Sequence, residues 1–253
     1  MKTSPAQRRQ RAFTLIELIV VISIIAVIAV FVIPAATTIV IGTELTRASQ
    51  VVLSQFTQAR QQAVTKQHPI EVRLIQFPDP EQPGERASDN TTWSYRAIQL
   101  MEILENGTAV ALTKPERLPG SIIMNAGPLS SLLDESGEAE ATGTTENKAT
   151  PKPQPKTAST KYDPPIPRLP EADARKYRYV KFRFLADGST DLPDNTTARW
   201  YVTLHSIADG IKIKAQTLSA KEAAQNVNFF TVQVDPASGS TRTFRPMAGA
   251  TKS

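Results

Sequence analysis

The feature that most constrains this chain is a long apolar run near its N-terminus, entered through a basic stretch and a single acid. The basic stretch, residues 8–11, precedes Glu17, and no further charge occurs before Glu44. Residues 18–41 are almost all Val, Ile, Ala, Leu or Phe. A helix of that length is roughly 36 Å long at about 1.5 Å per residue, and a hydrocarbon layer is about 30 Å thick. We therefore expect one membrane-crossing helix.

An acid at the head of such a helix needs an explanation. An ionised carboxylate inside a bilayer costs roughly 2.5–3.5 kcal/mol even on insertion scales, so a partner or a function is the default expectation. Two interpretations of Glu17 remain. Either it lies at the level of the lipid headgroups, or a positive group of another subunit compensates it. The residues that flank Glu17 favour the second interpretation.

Two common kinds of N-terminal segment compete with this interpretation. A secretory signal peptide does not fit, because its apolar region spans about 7–15 residues and ends in a small-x-small cleavage site. An ordinary single-pass anchor remains the alternative, because it needs only the length and the flanking positive charges. Whether the helix is an ordinary anchor or pairs with other subunits, the basic residues up to Arg11 keep the N-terminus in the cytoplasm. The C-terminal domain is then outside.

Residues 12–22, with the sequence AFTLIELIVVI, resemble the prepilin cleavage and methylation signal of type IV pilins and type II secretion pseudopilins. The resemblance implies that a prepilin peptidase cuts between Ala12 and Phe13 and N-methylates Phe13. The mature helix would then pack with other subunits in a filament, with Glu17 as the assembly residue and Pro34 as a helix-kinking proline. The family prefers Gly before the cut, so Ala12 implies slower processing.

The charges fit this mechanism. Cleavage frees the amine of Phe13, four residues before Glu17, and an α-amine is largely protonated at neutral pH. A buried charge without a partner is costly and a paired one much less so, so pairing between subunits favours axial register.

The leader, residues 1–12, carries +4 of the chain's net charge of +5. The pI of about 9.5 is therefore largely a property of the leader and gives little support for nucleic-acid binding.

Beyond the apolar run the pattern stays helical. Six apolar residues recur at three- and four-residue steps, which indicates one buried helix face. They are Leu45, Ala48, Val52, Phe56, Ala59 and Ala63. His68 and Pro69 form a stop signal, and we interpret His68 as a helix-end cation and not a ligand. The sequence therefore predicts one helix from about Thr14 to Lys66.

The rest of the chain is typical of strands. The predicted strands are residues 70–77, 93–104, 109–113, 121–124, 179–185, 199–205, 229–234 and 241–244. A long helix followed by antiparallel strands predicts an α+β fold, the helix packed on the sheet in a pilin-like arrangement.

The predicted domain layout has four parts. A leader, residues 1–12, precedes a transmembrane and assembly helix at 13–41, the soluble half of the helix at 42–68 and a β-rich domain at 69–253. Within that domain, residues 130–170 are first acidic and then rich in Lys, Pro and Thr, so we predict a disordered insertion there. A linker between two domains is the less favoured alternative.

Four short segments resemble minor pseudopilins of the GspH and FimT type. They are residues 58–64, 68–72, 184–188 and 235–239. The whole chain also resembles the pilin-like Verru_Chthon cassette proteins. These resemblances imply a minor pilin or pseudopilin that serves a type IV pilus or a type II secretion pseudopilus.

Residues with reactive or ligating side chains are few. His68 and His205 are the only histidines and there is no Cys. The sequence therefore lacks the set of ligands typical of a zinc site and has no thiol that could act as a nucleophile. We predict no enzymatic activity, no catalytic residue and no cofactor. Asp187, Asp191 and Asp194 are weak candidates for a calcium site, but their spacing is not that of an EF-hand loop. Ordinary turn chemistry is the favoured explanation.

Two classes of function remain. The first is a structural subunit whose partners are other subunits, the prepilin peptidase and the inner membrane. The second is a membrane-anchored protein that never polymerises and binds DNA or an exported partner. Arg242, Arg245 and Lys252 make the C-terminal tail mildly basic, but three cations are weak evidence for nucleic-acid binding.

Overall fold

The computed structural model describes residues 14–82, 84–86, 88–127, 129–134, 156–157, 165–166, 176–194, 199–209 and 228–245, without the side chains of 30–38. The chain divides into two compact units, Met1–Ile41 and Gly42–Ser253. A long α-helix, α1, spans Leu15–Lys66, and a short 3-10 helix spans Asn90–Thr92. The strands are β1 (Ile70–Phe77), β2 (Ser94–Ile103), β3 (Ala109–Ala111), β4 (Glu116–Arg117), β5 (Ile122–Met124), β6 (Lys156–Thr157), β7 (Arg178–Phe184), β8 (Trp200–Ser206), β9 (Phe229–Val234) and β10 (Thr241–Phe244).

Local chemistry sets both ends of α1. The Thr14 carbonyl accepts a hydrogen bond from the N–H of Leu18 at 3.2 Å, so Thr14 is the N-cap residue. At the other end Gln67 has a φ of 56°, a left-handed conformation that commonly ends helices. Pro69 follows and has no N–H to continue the helix. The predicted helix from about Thr14 to Lys66 is confirmed.

The second half of α1 supplies one side of the main core. All six apolar residues predicted from the spacing are completely buried: Leu45, Ala48, Val52, Phe56, Ala59 and Ala63. The ring of Phe56 lies edge-on to that of Phe182 in β7, with 5.4 Å between their centroids. Burying one large apolar side chain stabilises a fold by about 1.5–3 kcal/mol, so this face fastens the helix to the sheet.

The described strands form one antiparallel sheet in the order β10-β9-β8-β5-β2-β1-β7-β6, with β3 and β4 also paired to β2. Every residue of the central strand β1 is buried. One face of β1 packs in the same core as α1, and the other face contributes Ile75 and Phe77 to a second, smaller core. The α+β fold predicted from the sequence is confirmed.

A β-bulge in β2 redirects one charged side chain. The register between β1 and β2 shifts after Ile75 and skips Arg96, and a bulge of this kind re-aims the extra residue. The guanidinium of Arg96 is almost fully buried and donates to Asp79 Oδ2 at 2.9 Å and to Glu85. The bulge therefore fixes the loop between β1 and β2.

Two turns with left-handed glycines touch each other. Gly188 follows β7 with a φ of 84°, and Gly239 joins β9 to β10 with a φ of 62°. A Cβ atom on Gly239 would lie 2.1 Å from the carbonyl oxygen of Gly188. The Arg60 side chain of α1 donates to that same oxygen at 3.2 Å. This contact links the two turns to the C-terminal part of the helix.

The structure differs from the sequence expectation in the region predicted as an insertion. Leu129, Leu132 and Leu133 are buried, so the packed part of the domain extends past residue 130, about where the insertion was predicted to begin. The insertion itself stays a prediction. Near its other end Ile166 is buried in the smaller core, and β6 pairs with β7 inside the same region. Residues 135–155, 158–164 and 167–170 of this region lie outside the described part of the chain. The 3-10 helix and β4 were also not predicted.

Candidate functional site

Thr14 and Glu17 bind each other at the start of α1. The Oε2 atom of Glu17 accepts hydrogen bonds from the N–H and from the hydroxyl of Thr14, each at 2.8 Å. In return, the Glu17 N–H donates to the Thr14 hydroxyl at 3.3 Å. This reciprocal arrangement is a capping box, which satisfies backbone N–H groups that the first turn of a helix leaves without partners. The acid is therefore held at the first turn.

The sequence interpretation missed this capping box, although its signal was present. Residues 14–17, Thr-Leu-Ile-Glu, match the S/T-x-x-E pattern that precedes an apolar run. The helix dipole also favours a negative charge at this end. The acid thus has a structural reason for its position within the chain itself. Since a cut after residue 12 leaves the Thr14 amide intact, the capping box is compatible with processing.

The surface of α1 behind Glu17 is apolar on all sides and exposed in the single chain. Its exposed large side chains include Leu15, Ile16, Leu18, Ile19, Val20, Val21, Ile22, Ile24, Ile25, Val27 and Ile28. A helix that is hydrophobic all round is typical of one enclosed by other apolar groups. Among the residues that the structure describes, no helix has both the length and the hydropathy needed to cross a membrane.

Three other residues of the predicted signal lie wholly or partly outside what the structure describes. Ala12 and Phe13 lie outside the described residues, and Pro34 lies within α1 at a position where only the backbone is described. Cleavage, N-methylation and a kink at Pro34 therefore stay predictions.

The three acids considered for calcium are used in different ways. Asp187 accepts from the hydroxyl of Ser189 at 2.6 Å and from its N–H at 2.9 Å, and these bonds lower the pKa of Asp187. Asp191 accepts from the N–H of Arg183 at 2.7 Å, and Asp194 is exposed. Within the described ranges, no three His, Cys, Asp or Glu side chains form a group that could hold a metal ion. The contacts support the turn explanation.

Among the described residues, the two histidines and the basic tail do not form a common site. His68 Nδ1 lies 3.1 Å from Glu102 Oε1 at the end of α1. His205 is buried in β8, where its Nδ1 lies 2.8 Å from the carbonyl oxygen of Ser206. The guanidinium of Arg245 lies over the ring of Phe230, and Arg242 is exposed on β10. Lys252 lies outside the described residues. The weak nucleic-acid candidates stay untested.

A buried acid with three basic partners was also missed. Glu71 in β1 is inaccessible to solvent, and its carboxylate contacts Lys181 Nζ at 2.6 Å, Arg73 Nε at 2.8 Å and Arg183 Nε at 3.3 Å. Burial raises the pKa of Glu71, but the hydrogen bonds from Lys181 and Arg73 outweigh it and leave the pKa lowered. Glu71 and Arg73 are two positions apart in a predicted strand, so the sequence already indicated that their opposite charges lie on the same face of that strand. The register to β7 was not readable from sequence.

Comparison with known families identifies the class of the N-terminal signal. Residues 7–33 match the family described as "Prokaryotic N-terminal methylation motif". This range contains the residues that carried the resemblance to prepilins, including Glu17, so the predicted prepilin-type motif is confirmed. The match covers the start of the chain and does not extend to the sheet domain.

A similar solved structure is the minor pseudopilin EpsH from the type 2 secretion system of Vibrio cholerae. The TM-score is 0.37 and the sequence identity is 7%, over 80% of this chain and 98% of the other. The search of curated proteins found no significant match.

Proposed function

We propose that this chain is a pilin-like structural subunit, a minor pilin or pseudopilin of a type IV pilus or a type II secretion pseudopilus. The observation that carries the proposal is the N-terminal methylation motif at residues 7–33, with its acid held at the helix start. A prepilin peptidase cuts between Ala12 and Phe13 and methylates Phe13. Its other partners are the inner membrane and further subunits. The N-terminus is cytoplasmic, and the C-terminal domain is periplasmic until the subunit enters the filament.

The proposed mechanism uses the charges at the start of α1. Hydrolysis of the bond between Ala12 and Phe13 removes the basic leader and leaves a positive amine on Phe13. In the filament, the amine of one subunit pairs with the Glu17 carboxylate of another, which lowers the cost of placing both in an apolar environment. The exposed apolar surface of residues 15–28 supplies the lateral contacts.

Mass spectrometry of the purified protein's N-terminal peptide tests the processing step. We expect a mature chain that begins at N-methylated Phe13. An intact Met1 would overturn the proposal and support the alternative, a membrane-anchored binding protein that does not polymerise.

Two substitutions of Glu17 separate its charge from its capping role. Glu17→Gln removes the charge but keeps an oxygen that can accept from Thr14, because Gln also completes a capping box. Glu17→Val removes both. We expect processing to survive in both variants and filament incorporation to fail in both, measured as the ratio of sheared-filament to membrane-bound subunit. Normal incorporation of Glu17→Gln would show that capping suffices and that charge pairing is wrong.

A further inference from the structure

We infer that Thr14 is a positioning residue for assembly, whose hydroxyl holds the Glu17 carboxylate where the amine of another subunit meets it. This inference rests on the proposed function and adds a second residue to its mechanism. Thr14 donates from its backbone N–H and from its hydroxyl to Glu17, and the same hydroxyl accepts from the Glu17 N–H.

The geometry leaves part of the carboxylate available. Both hydrogen bonds from Thr14 reach the same oxygen, Oε2. Among the described residues, no hydrogen bond to Oε1 of Glu17 accompanies them. A carboxylate accepts hydrogen bonds at both oxygens, so Oε1 can receive an external amine while Oε2 stays bound to Thr14. Capping and pairing between subunits are therefore compatible in one side chain.

The arrangement also limits the rotamers of Glu17. A long acidic side chain at the end of an apolar helix is otherwise able to bend toward water and away from the helix axis. Holding it beforehand reduces the conformational entropy lost when the partner amine arrives. Loss of an N-cap side chain typically corresponds to a change of about five-fold in an equilibrium, so we expect an effect of this size on incorporation.

The chain provides a matched control in the same apolar segment. The hydroxyl of Ser23 donates to the carbonyl oxygen of Ile19 at 2.8 Å, a bond internal to the helix. Removing this hydroxyl changes the polarity of the segment by the same amount without touching Glu17. Ser23→Ala therefore reports what the loss of any hydroxyl in this region does.

The test compares Thr14→Val, Thr14→Ser and Ser23→Ala in the full chain, with incorporation normalised to the processed fraction. We expect Thr14→Val to lower incorporation about five-fold, while Thr14→Ser and Ser23→Ala stay close to the unchanged chain. If Thr14→Val incorporates normally while Glu17→Gln fails, the inference is overturned and the proposed function stands. If Glu17→Gln also incorporates normally, the proposed charge mechanism fails.

A structural measurement removes any dependence on processing. Solid-state NMR on the uncut chain in lipid, labelled at the Thr14 amide nitrogen and the Glu17 carboxyl carbon, measures the distance between these two atoms. We expect a short distance with a narrow distribution in the unchanged chain and in Thr14→Ser, and a broader distribution in Thr14→Val, where only the backbone N–H at position 14 can still hold the carboxylate. An equally narrow distribution in Thr14→Val would contradict the inference even if that variant is poorly cut.

Discussion

The two halves of α1 share one helix but differ in where their contacts come from. In the half that follows residue 42, six apolar residues are completely buried by the sheet of the same chain. In the half that begins at Leu15, large apolar residues are exposed on every side. The C-terminal half is amphipathic, and its apolar face is buried. The N-terminal half is uniformly apolar, and its apolar surface is not covered by the described residues. A uniformly apolar surface indicates contacts that lie outside the chain.

The acids of the two regions differ in the same way. Glu71 has three basic partners within the sheet domain, all supplied by β1 and β7. Glu17 has only the uncharged groups of Thr14 as hydrogen-bond partners within the described residues, so its charge is not neutralised there. The sheet domain therefore neutralises its buried acid by folding, whereas the described residues leave the charge of Glu17 without an oppositely charged partner, as our proposal of pairing between subunits requires.

The largest expected effect comes from truncating one buried residue of the helix. Phe56→Ala removes a ring packed against Phe182, and such changes typically lower the free energy of unfolding by about 3–5 kcal/mol. The matched change in the exposed half, Ile22→Ala, should leave the unfolding of the sheet domain within about 0.5 kcal/mol. Denaturant unfolding in detergent measures both. Equal losses would show that the two halves do not differ as described.

An intermediate effect is expected at the turn that holds the end of the buried half. Gly239→Ala forces a Cβ atom onto the Gly188 carbonyl, which also accepts from Arg60. We expect the free energy of unfolding to fall by about 1–3 kcal/mol, from overpacking and from a positive φ. Gly107→Ala is the control, because it has a φ of 79° but open space around it, and should lose only about 1 kcal/mol. Similar losses in both variants would leave backbone strain as the sole cause.

The smallest effect is a pH dependence that belongs to the buried acid. Because folding lowers the pKa of Glu71, its contribution is complete above the pKa of the unfolded state, about 4.3, and is lost as the pH falls through the folded pKa. We expect the free energy of unfolding to decline below about pH 4.3, with a shallower decline in Glu71→Gln. Glu105→Gln, at an exposed turn position, should keep the original slope. An unchanged slope in Glu71→Gln would assign the decline to other carboxyls.

Local signals in the sequence were sufficient for much of this architecture. The spacing of six apolar residues identified the buried helix face, and β1 and β9 have the predicted bounds. These elements are long and periodic, so the local spacing of their apolar residues is enough to predict which side chains are buried. The two-residue strand β4 has no such period, and its assignment depends on pairing with β2, from which β3 separates it in the sequence.

The features that escaped prediction depend on partners distant in sequence or on averaged composition. The bulge at Arg96 follows from the register between two strands, which no single segment determines. Leu132 and Leu133 were included in the insertion because the acidic residues that follow dominated the composition of that window. The capping box of Thr14 and Glu17 is different, since its four-residue pattern is local and was readable from the sequence.

The contact between Gly188 and Gly239 has a consequence for how this domain can vary. The two glycines are separated by 51 positions, and the block between their loops acts in one direction. Gly239 cannot gain a methyl group unless the loop of Gly188 retreats, whereas a methyl group on Gly188 would only make ordinary contacts with the side chains of Val64 and Arg60. Substitution at Gly239 should therefore be accepted only together with a change in the length or path of the loop that contains Gly188, and relatives without this glycine are expected to have rebuilt that loop.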